Sequence, residues 1–206
     1  MKFALVFVLS VVTGSNAYAQ NHDGPLLRVL GLFSPADNVP QTKGERFKDY
    51  VIATVGPLTL IGEAASAGIQ QWRDSPHEWG QGASGYGQRF GNDMAYNAVH
   101  QTITYGLSEA LREDNRYFRS EKQGTGARLL FALESPAMAY HHGKRRVSIS
   151  SLTGIAGAAT LSLTWAPPSW QGAGSAASNF GITYASMAGL NVAREFIPSL
   201  VKKLRK

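Results

Sequence analysis

From Val51 to Ile69 the chain is an almost unbroken run of apolar and small residues, with Glu63 its only charge. The run forms the middle of a helix expected over 45–72. Pro57 lacks an amide hydrogen and crowds the preceding turn, so it kinks or splits that helix. The span is long enough to cross a bilayer, but Glu63, Pro57 and the many Ala and Gly weaken the transfer. Two readings stand: a buried helix of a soluble or peripheral bundle, which those features favour, and a membrane-embedded helix.

The pattern continues as helices marked by small residues four apart. Ala83, Gly87, Gly91 and Ala95 form one such stripe on a second helix expected over 84–112, and a face without side-chain bulk lets another helix approach closely. A third helix is expected over 127–140, bent by Pro136. His141, His142 and Gly143 close it, and Lys144, Arg145 and Arg146 follow its C-terminus, where basic residues complement the helix dipole. The segment 147–165 is ambiguous: its ends alternate as a strand would, yet Ser150, Gly154, Ala158 and Ser162 also fall four apart. Pro167-Pro168 stops it, with Ser169 a ready N-cap. A last helix over 170–200 carries Ala173, Ala177, Gly181, Ala185, Gly189 and Ala193 in i+4 register. No repeat of fixed period is present. The pattern predicts an all-α, single-domain bundle of four to five helices packed through Gly/Ala/Ser stripes, over 45–206. An irregular N-terminal arm over 20–44 precedes it, punctuated by Pro25, Pro35 and Pro40.

The densest punctuation lies between Asp74 and Ala95, where glycines stand at 80, 82, 85, 87 and 91. Ser75, Pro76 and Glu78 occupy N-cap, N1 and N3 of an expected capping box, which gives Glu78 a structural task. Trp79, Tyr86 and Arg89 have no such task and form a candidate loop site.

Composition narrows the chemistry. Lys2, an apolar run over 3–12 and Ala17-Tyr18-Ala19 read as a signal peptide over 1–19, so the chain is expected in the periplasm or cell envelope. It contains no cysteine, which removes thiol catalysis, thiolate metal sites and lipoprotein anchoring. The formal charge is +6, and much of the excess sits in Lys144, Arg145 and Arg146 and in Lys202 and Lys203. Such clusters suit an anionic membrane surface. Nucleic acid is not an expected partner, because no aromatic-basic reading motif is present.

No catalytic constellation emerges. His77-Glu78 is not the start of an H-E-x-x-H metal site, and His141-His142 reads as a polar helix end. No nucleophile elbow or P-loop is present, and the glycines at 80–91 lack the strand and acidic residue of a dinucleotide site. No metal, cofactor or catalytic residue is therefore assigned. One cluster, Arg112, Glu113, Asp114, Arg116, Tyr117 and Arg119, suits either an anion clamp or a salt-bridge network at a helix corner. Mixed charge favours the network, with Glu63 and Glu134 as candidate partners for its arginines. The segments over 147–165 and 170–200 read as a hairpin with basic residues at one end and Trp165 and Trp170 at the other. That layout resembles a membrane hairpin; Arg194 and Glu195 within the last helix favour a soluble one.

The segments D-S-P-H-E-W-G-Q-G-A-S-G-Y-G-Q-R-F-G (74–91) and L-R-E-D-N-R-Y-F-R-S (111–120) resemble a pattern of uncharacterised secreted proteins of bacteria. The resemblance implies an exported single-domain family and no activity. The expected function is a non-catalytic, membrane-associated envelope protein, or one that assembles with itself or an envelope partner. The alternatives are a small-molecule or lipid-binding protein with a site around Arg112–Arg119, and an outer-membrane β-barrel, for which 45–72 lacks the alternating pattern.

Overall fold

The computed structural model describes residues 35–204. The expected signal peptide over 1–19 and most of the arm lie outside the described residues. The described part of the arm packs on the domain: Ala36 bridges Phe118, and Arg116 donates to the Val39 carbonyl. The first helix, α1 (Lys43–Val55), is started by a reciprocal capping box between Thr42 and Glu45. Two amides that would otherwise lack partners are satisfied there.

Pro57 splits the expected first helix. It stands at the first position of α2 (Pro57–Trp72), where a missing amide hydrogen costs nothing. Gly56 makes the joint, since a Cβ there would stand 2.4 Å from the Ile52 carbonyl oxygen. The elements that follow are α3 (Gly82–Leu111), α4 (Thr125–Glu134), strands β1 (Met138–His141) and β2 (Lys144–Val147), α5 (Ile149–Leu161) and α6 (Ala173–Leu204). The domain is a helical bundle, as its pattern predicts, with one small hairpin.

The bundle is built around α3. Tyr50 bonds Thr102, Asn97 bonds the Ala53 carbonyl and Gln71 bonds the Gly82 carbonyl, so α1 and α2 run antiparallel to α3. Trp165 reaches Asn92 and Asn115 reaches Ser150, which sets α5 antiparallel as well. Tyr96 meets Thr183 and Tyr117 meets Glu195, so α6 runs parallel to α3. The bundle therefore has two distinct ends. One gathers the four tryptophans of the chain: Trp72 ends α2, Trp165 follows α5, and Trp79 lies edge-on to Trp170 at 5.5 Å. The other end gathers the start of α1, residues 112–124, the β hairpin and the end of α6.

Two expectations over 127–165 are corrected. The third helix does not reach Tyr140: it stops at Glu134, and Pro136 lies in a single 3-10 turn. Residues 138–147 form an antiparallel hairpin pairing Met138 with Val147 through His141 with Lys144. Its turn places His142 and Gly143 at φ 48° and 74°, so His141-His142 is a hairpin corner and Lys144–Arg146 are strand residues. The ambiguous segment 147–165 is a helix, capped by the Ser148 hydroxyl on the Ser151 amide.

The small-residue stripes divide. On α5, Ser150, Gly154, Ala158 and Ser162 are all buried, and a Cβ at Gly154 would stand 1.9 Å from Thr104 Oγ1. Close approach to α3 through that stripe is real. The stripe Ala83, Gly87, Gly91 and Ala95 on α3 and the upper half of the α6 stripe, Ala173 to Ala185, face outward. Nothing lies within 4 Å of a Cβ at Gly87, Gly91 or Gly181. Helix α3 packs through a different register that includes Arg89, Asn97, His100 and Ser108.

Candidate functional site

The stretch over 74–91 is organised by Arg89, which has no exposed surface. Its guanidinium donates to the carbonyls of Ser75 (3.0 Å), Pro76 (2.8 Å) and Gly80 (2.8 Å) and to Gln71 Oε1 (2.5 Å). A planar fork with five N–H groups suits a loop whose carbonyls converge on one point. Gly85 leaves room for that loop: a Cβ there would stand 2.4 Å from the Gly80 carbonyl oxygen and 2.7 Å from that of Trp79. Gly80 itself sits at φ 63°, a conformation glycine adopts without strain.

The expected capping box at Ser75 is corrected. A 3-10 turn, His77–Trp79, forms instead, with Pro76 at its cap and no side-chain capping bond. The Ser75 carbonyl is turned inward to Arg89. Glu78 accepts from the Ser169 amide (3.0 Å) and hydroxyl (2.9 Å), tying this loop to the 3-10 turn Pro168–Trp170 that precedes α6. Its own backbone N–H, followed by the Ser169 bonds, holds its carboxyl below the usual range. Tyr86 donates to the Ala64 carbonyl, and Trp79 packs on Trp170. Trp79, Tyr86 and Arg89 are thus engaged in fastening the tryptophan end.

At the opposite end, the Arg112–Arg119 cluster forms several separate contacts. Arg112 ends α3 in a left-handed conformation at φ 55° and is exposed. Glu113 is buried against the N-terminus of α5, accepting from the amides of Ile149 (3.1 Å) and Ser150 (2.9 Å) and from the hydroxyls of Ser148 and Ser150. Burial opposes its ionisation, but these donors outweigh it and hold the carboxyl below its ordinary range. A helix N-terminus with free amides is a natural anion site, and here the chain's own carboxylate fills it. Asp114 pairs with Arg116 at 2.8 Å. Tyr117 donates to Glu195 (2.5 Å), and Arg119 donates to Ser199 Oγ (2.7 Å). Glu195 is wholly buried and also accepts from Arg128 Nε (2.6 Å) and the Ser120 amide (3.1 Å). Burial disfavours its charge, yet these three donors outweigh that and keep its carboxyl low. Arg116 and Arg119 therefore pair with neither Glu63 nor Glu134.

Of the basic residues, Lys144 and Arg146 are exposed. Arg145 is not a free surface cation: it pairs with Glu134 at 2.5 Å and lies over the Phe131 ring at 4.1 Å. The side chains of Lys202 and Lys203 lie outside the described residues.

The interior holds what sequence reasoning missed. A cavity of about 440 Å³ lies beneath the tryptophan end, lined among others by Glu63, Gln70, Asp93, Tyr96, His100 and Trp170. A smaller one of about 200 Å³ lies on the basic-end side of His100 and is lined by Glu113–Tyr117 and Arg194. Among the described residues, four buried side-chain atoms have no hydrogen-bond partner: Gln70 Oε1, His100 Nε2, Thr104 Oγ1 and Arg194 Nε. All four residues line one cavity or the other. Unpartnered buried polar atoms are costly, so their concentration along these cavities marks the interior as a place for water or a polar ligand. The sequence signal was Glu63, a lone charge in an apolar run, and the i, i+4, i+7 spacing of Arg89, Asp93 and Tyr96 with His100 beyond. Among the described residues, no three His, Asp or Glu are grouped to hold a metal ion.

Polarity is distributed in reverse of a water-soluble bundle. Among the described residues, the largest side chains with essentially no exposure are Arg89, Ile155, Leu190, Glu195, Thr59, Ser148, Ser150 and Ser151, six of the eight polar or charged. Meanwhile Phe47, Ile61, Leu130 and Ile149 are each more than half exposed, and Trp72 is 84% exposed. Between 50–72, 83–108, 149–164 and 173–193 the only charged residues are Glu63, Arg89 and Asp93, and none is exposed. No family model, curated protein or solved structure matches this chain significantly.

Proposed function

We propose that this chain is a non-catalytic protein of the cell envelope whose bundle sits in a lipid bilayer, its polar side chains turned inward and its apolar ones outward. The observation that carries the reading is the belt without exposed charge. On α3 it runs from Gly82 to Ser108, about 40 Å at the rise of an α-helix, against roughly 30 Å of hydrocarbon in a bilayer. In water, burying Arg89 and Glu195 while leaving Ile61 and Leu130 exposed wastes the main driving force of folding. In lipid the same arrangement is favourable, because apolar side chains need no burial and polar ones must find partners inside.

The ends support the same placement. All four tryptophans lie at one end, where indole rings favour the membrane–water boundary. Lys144 and Arg146 are exposed at the other end, positioned for anionic headgroups. The Glu195 charge inside the last helix does not oppose insertion, since it pairs with Arg128 and Tyr117 within the protein. Helices α1 and α2 together make the one stretch among the described residues long and apolar enough to cross a membrane by itself. The other segments enter as a packed group.

Alkaline carbonate extraction of membranes from cells expressing the full chain tests this. Retention in the membrane pellet is expected, and complete release into the supernatant overturns the reading.

A further inference from the structure

The cavity beneath the tryptophan end contains a carboxylate without a partner. Glu63 is 6% exposed and lines the cavity, and no hydrogen bond or ion pair from the described residues reaches its carboxyl group. Asp93, on the same wall, accepts from the amides of Gln70 (2.6 Å) and Asn92 (3.2 Å) and from the Ser66 hydroxyl, all of them neutral groups. No lysine or arginine of the described residues lines the space. Gln70 Oε1 is an unpartnered acceptor, and His100 Nε2 is an unpartnered ring nitrogen that accepts in one neutral tautomer. The lining is therefore rich in acceptors and carboxylates and has no cation of its own. Ionising a buried carboxyl in that state is costly unless a positive partner arrives.

The remaining wall indicates what kind of cation. Trp170, Ala166 and Ile182 give the cavity an apolar side and one aromatic ring, and an indole face attracts a cation. About 440 Å³ is far more than a bare ion fills and lies within the range of small-molecule pockets. We propose that this cavity is a binding site for a protonated organic amine, its ammonium group between Glu63 and Asp93 and its apolar body against Ile182 and Trp170. The site stands whether lipid or water surrounds the bundle, so its test is independent of membrane placement.

The test titrates the purified full chain in mild detergent, by calorimetry, with benzylamine, phenethylamine and 1,5-diaminopentane, and with benzyl alcohol as the neutral counterpart. Saturable binding of at least one amine is expected, at least about tenfold tighter than benzyl alcohol (a factor of ten is about 1.4 kcal/mol). Glu63→Gln is expected to weaken that amine about tenfold or more while leaving Tm unchanged or raised, because the variant removes an unpartnered buried carboxyl and keeps its shape. Asp93→Asn, read with circular dichroism to confirm the fold, should weaken it in the same direction. The proposal is overturned if none of the amines binds saturably, if benzyl alcohol binds as tightly as the amines, or if Glu63→Gln binds the amine as the parent does.

Discussion

The interior and the exterior of this bundle exchange the roles they hold in a water-soluble one. Inside, Arg89 gathers four acceptors and Glu195 gathers Tyr117, Arg128 and the Ser120 amide. Outside, Ile61, Ile149 and Leu161 stand exposed within the belt that carries no exposed charge. Cohesion therefore comes from satisfied polar networks and from close backbone approach at small residues, more than from burial of large apolar side chains. Outer positions should tolerate apolar change and resist charge, whereas inner positions should resist loss of a donor.

The largest effect is expected from Arg89→Met. It keeps most of the side chain's bulk but strips donors from three carbonyls and Gln71, and should cost about 3–5 kcal/mol. Thermal unfolding of the purified protein reads it, and a Tm within error of the parent would mean that Arg89 does not hold the loop. Ile61→Arg comes next. In a bilayer an arginine near mid-helix costs about 2.5–3.5 kcal/mol, so the membrane-retained fraction should fall sharply. On a water-facing surface the same change is expected to stay within about 0.5 kcal/mol, which distinguishes the two solvents.

Smaller effects separate the stripes. Gly154→Ala forces a Cβ against Thr104 and should cost about 1–3 kcal/mol. Gly87→Ala meets open space and should be neutral or stabilising by up to about 1 kcal/mol, through helix propensity. Equal destabilisation by both in differential scanning would show that the α3 stripe is covered by another helix, as in a self-associated form.

The contrast between these stripes shows how much was legible in the sequence. Helix existence followed from apolar runs and stop signals, and Pro57 and Pro167-Pro168 did what their missing amide hydrogens require. Which stripe faces inward did not follow. An i+4 spacing of small residues is the same on either face, and only the partner, Thr104 against Gly154, distinguishes them. The expected helix over 127–140 stops at Glu134 because M-A-Y-H (138–141) pairs across the His142-Gly143 turn with K-R-R-V (144–147), and strand pairing overrides local propensity. Ser75 to Glu78 matched a capping box by residue type, but the Ser75 carbonyl answers to Arg89, fourteen residues on. The Arg112–Arg119 cluster was legible as a network at a corner. The partner of Tyr117, Glu195, was not, because it lies 78 residues away. The cavity left only the traces of Glu63 and of the Asp93, Tyr96 and His100 spacing, since a space lined by four segments has no local pattern.

Because the chain has no native cysteine, single-cysteine labelling tests the placement of the exterior most directly. Ile61→Cys, Ala156→Cys and Lys144→Cys, each in the full chain reconstituted into sealed vesicles, are exposed to a membrane-impermeant maleimide before and after detergent. Lipid burial of the belt predicts that Cys at 144 reacts readily in the share of molecules whose basic end faces outward, while Cys at 61 and 156 react only once detergent is added. Rapid labelling at 61 and 156 in intact vesicles, matching that at 144, would contradict it.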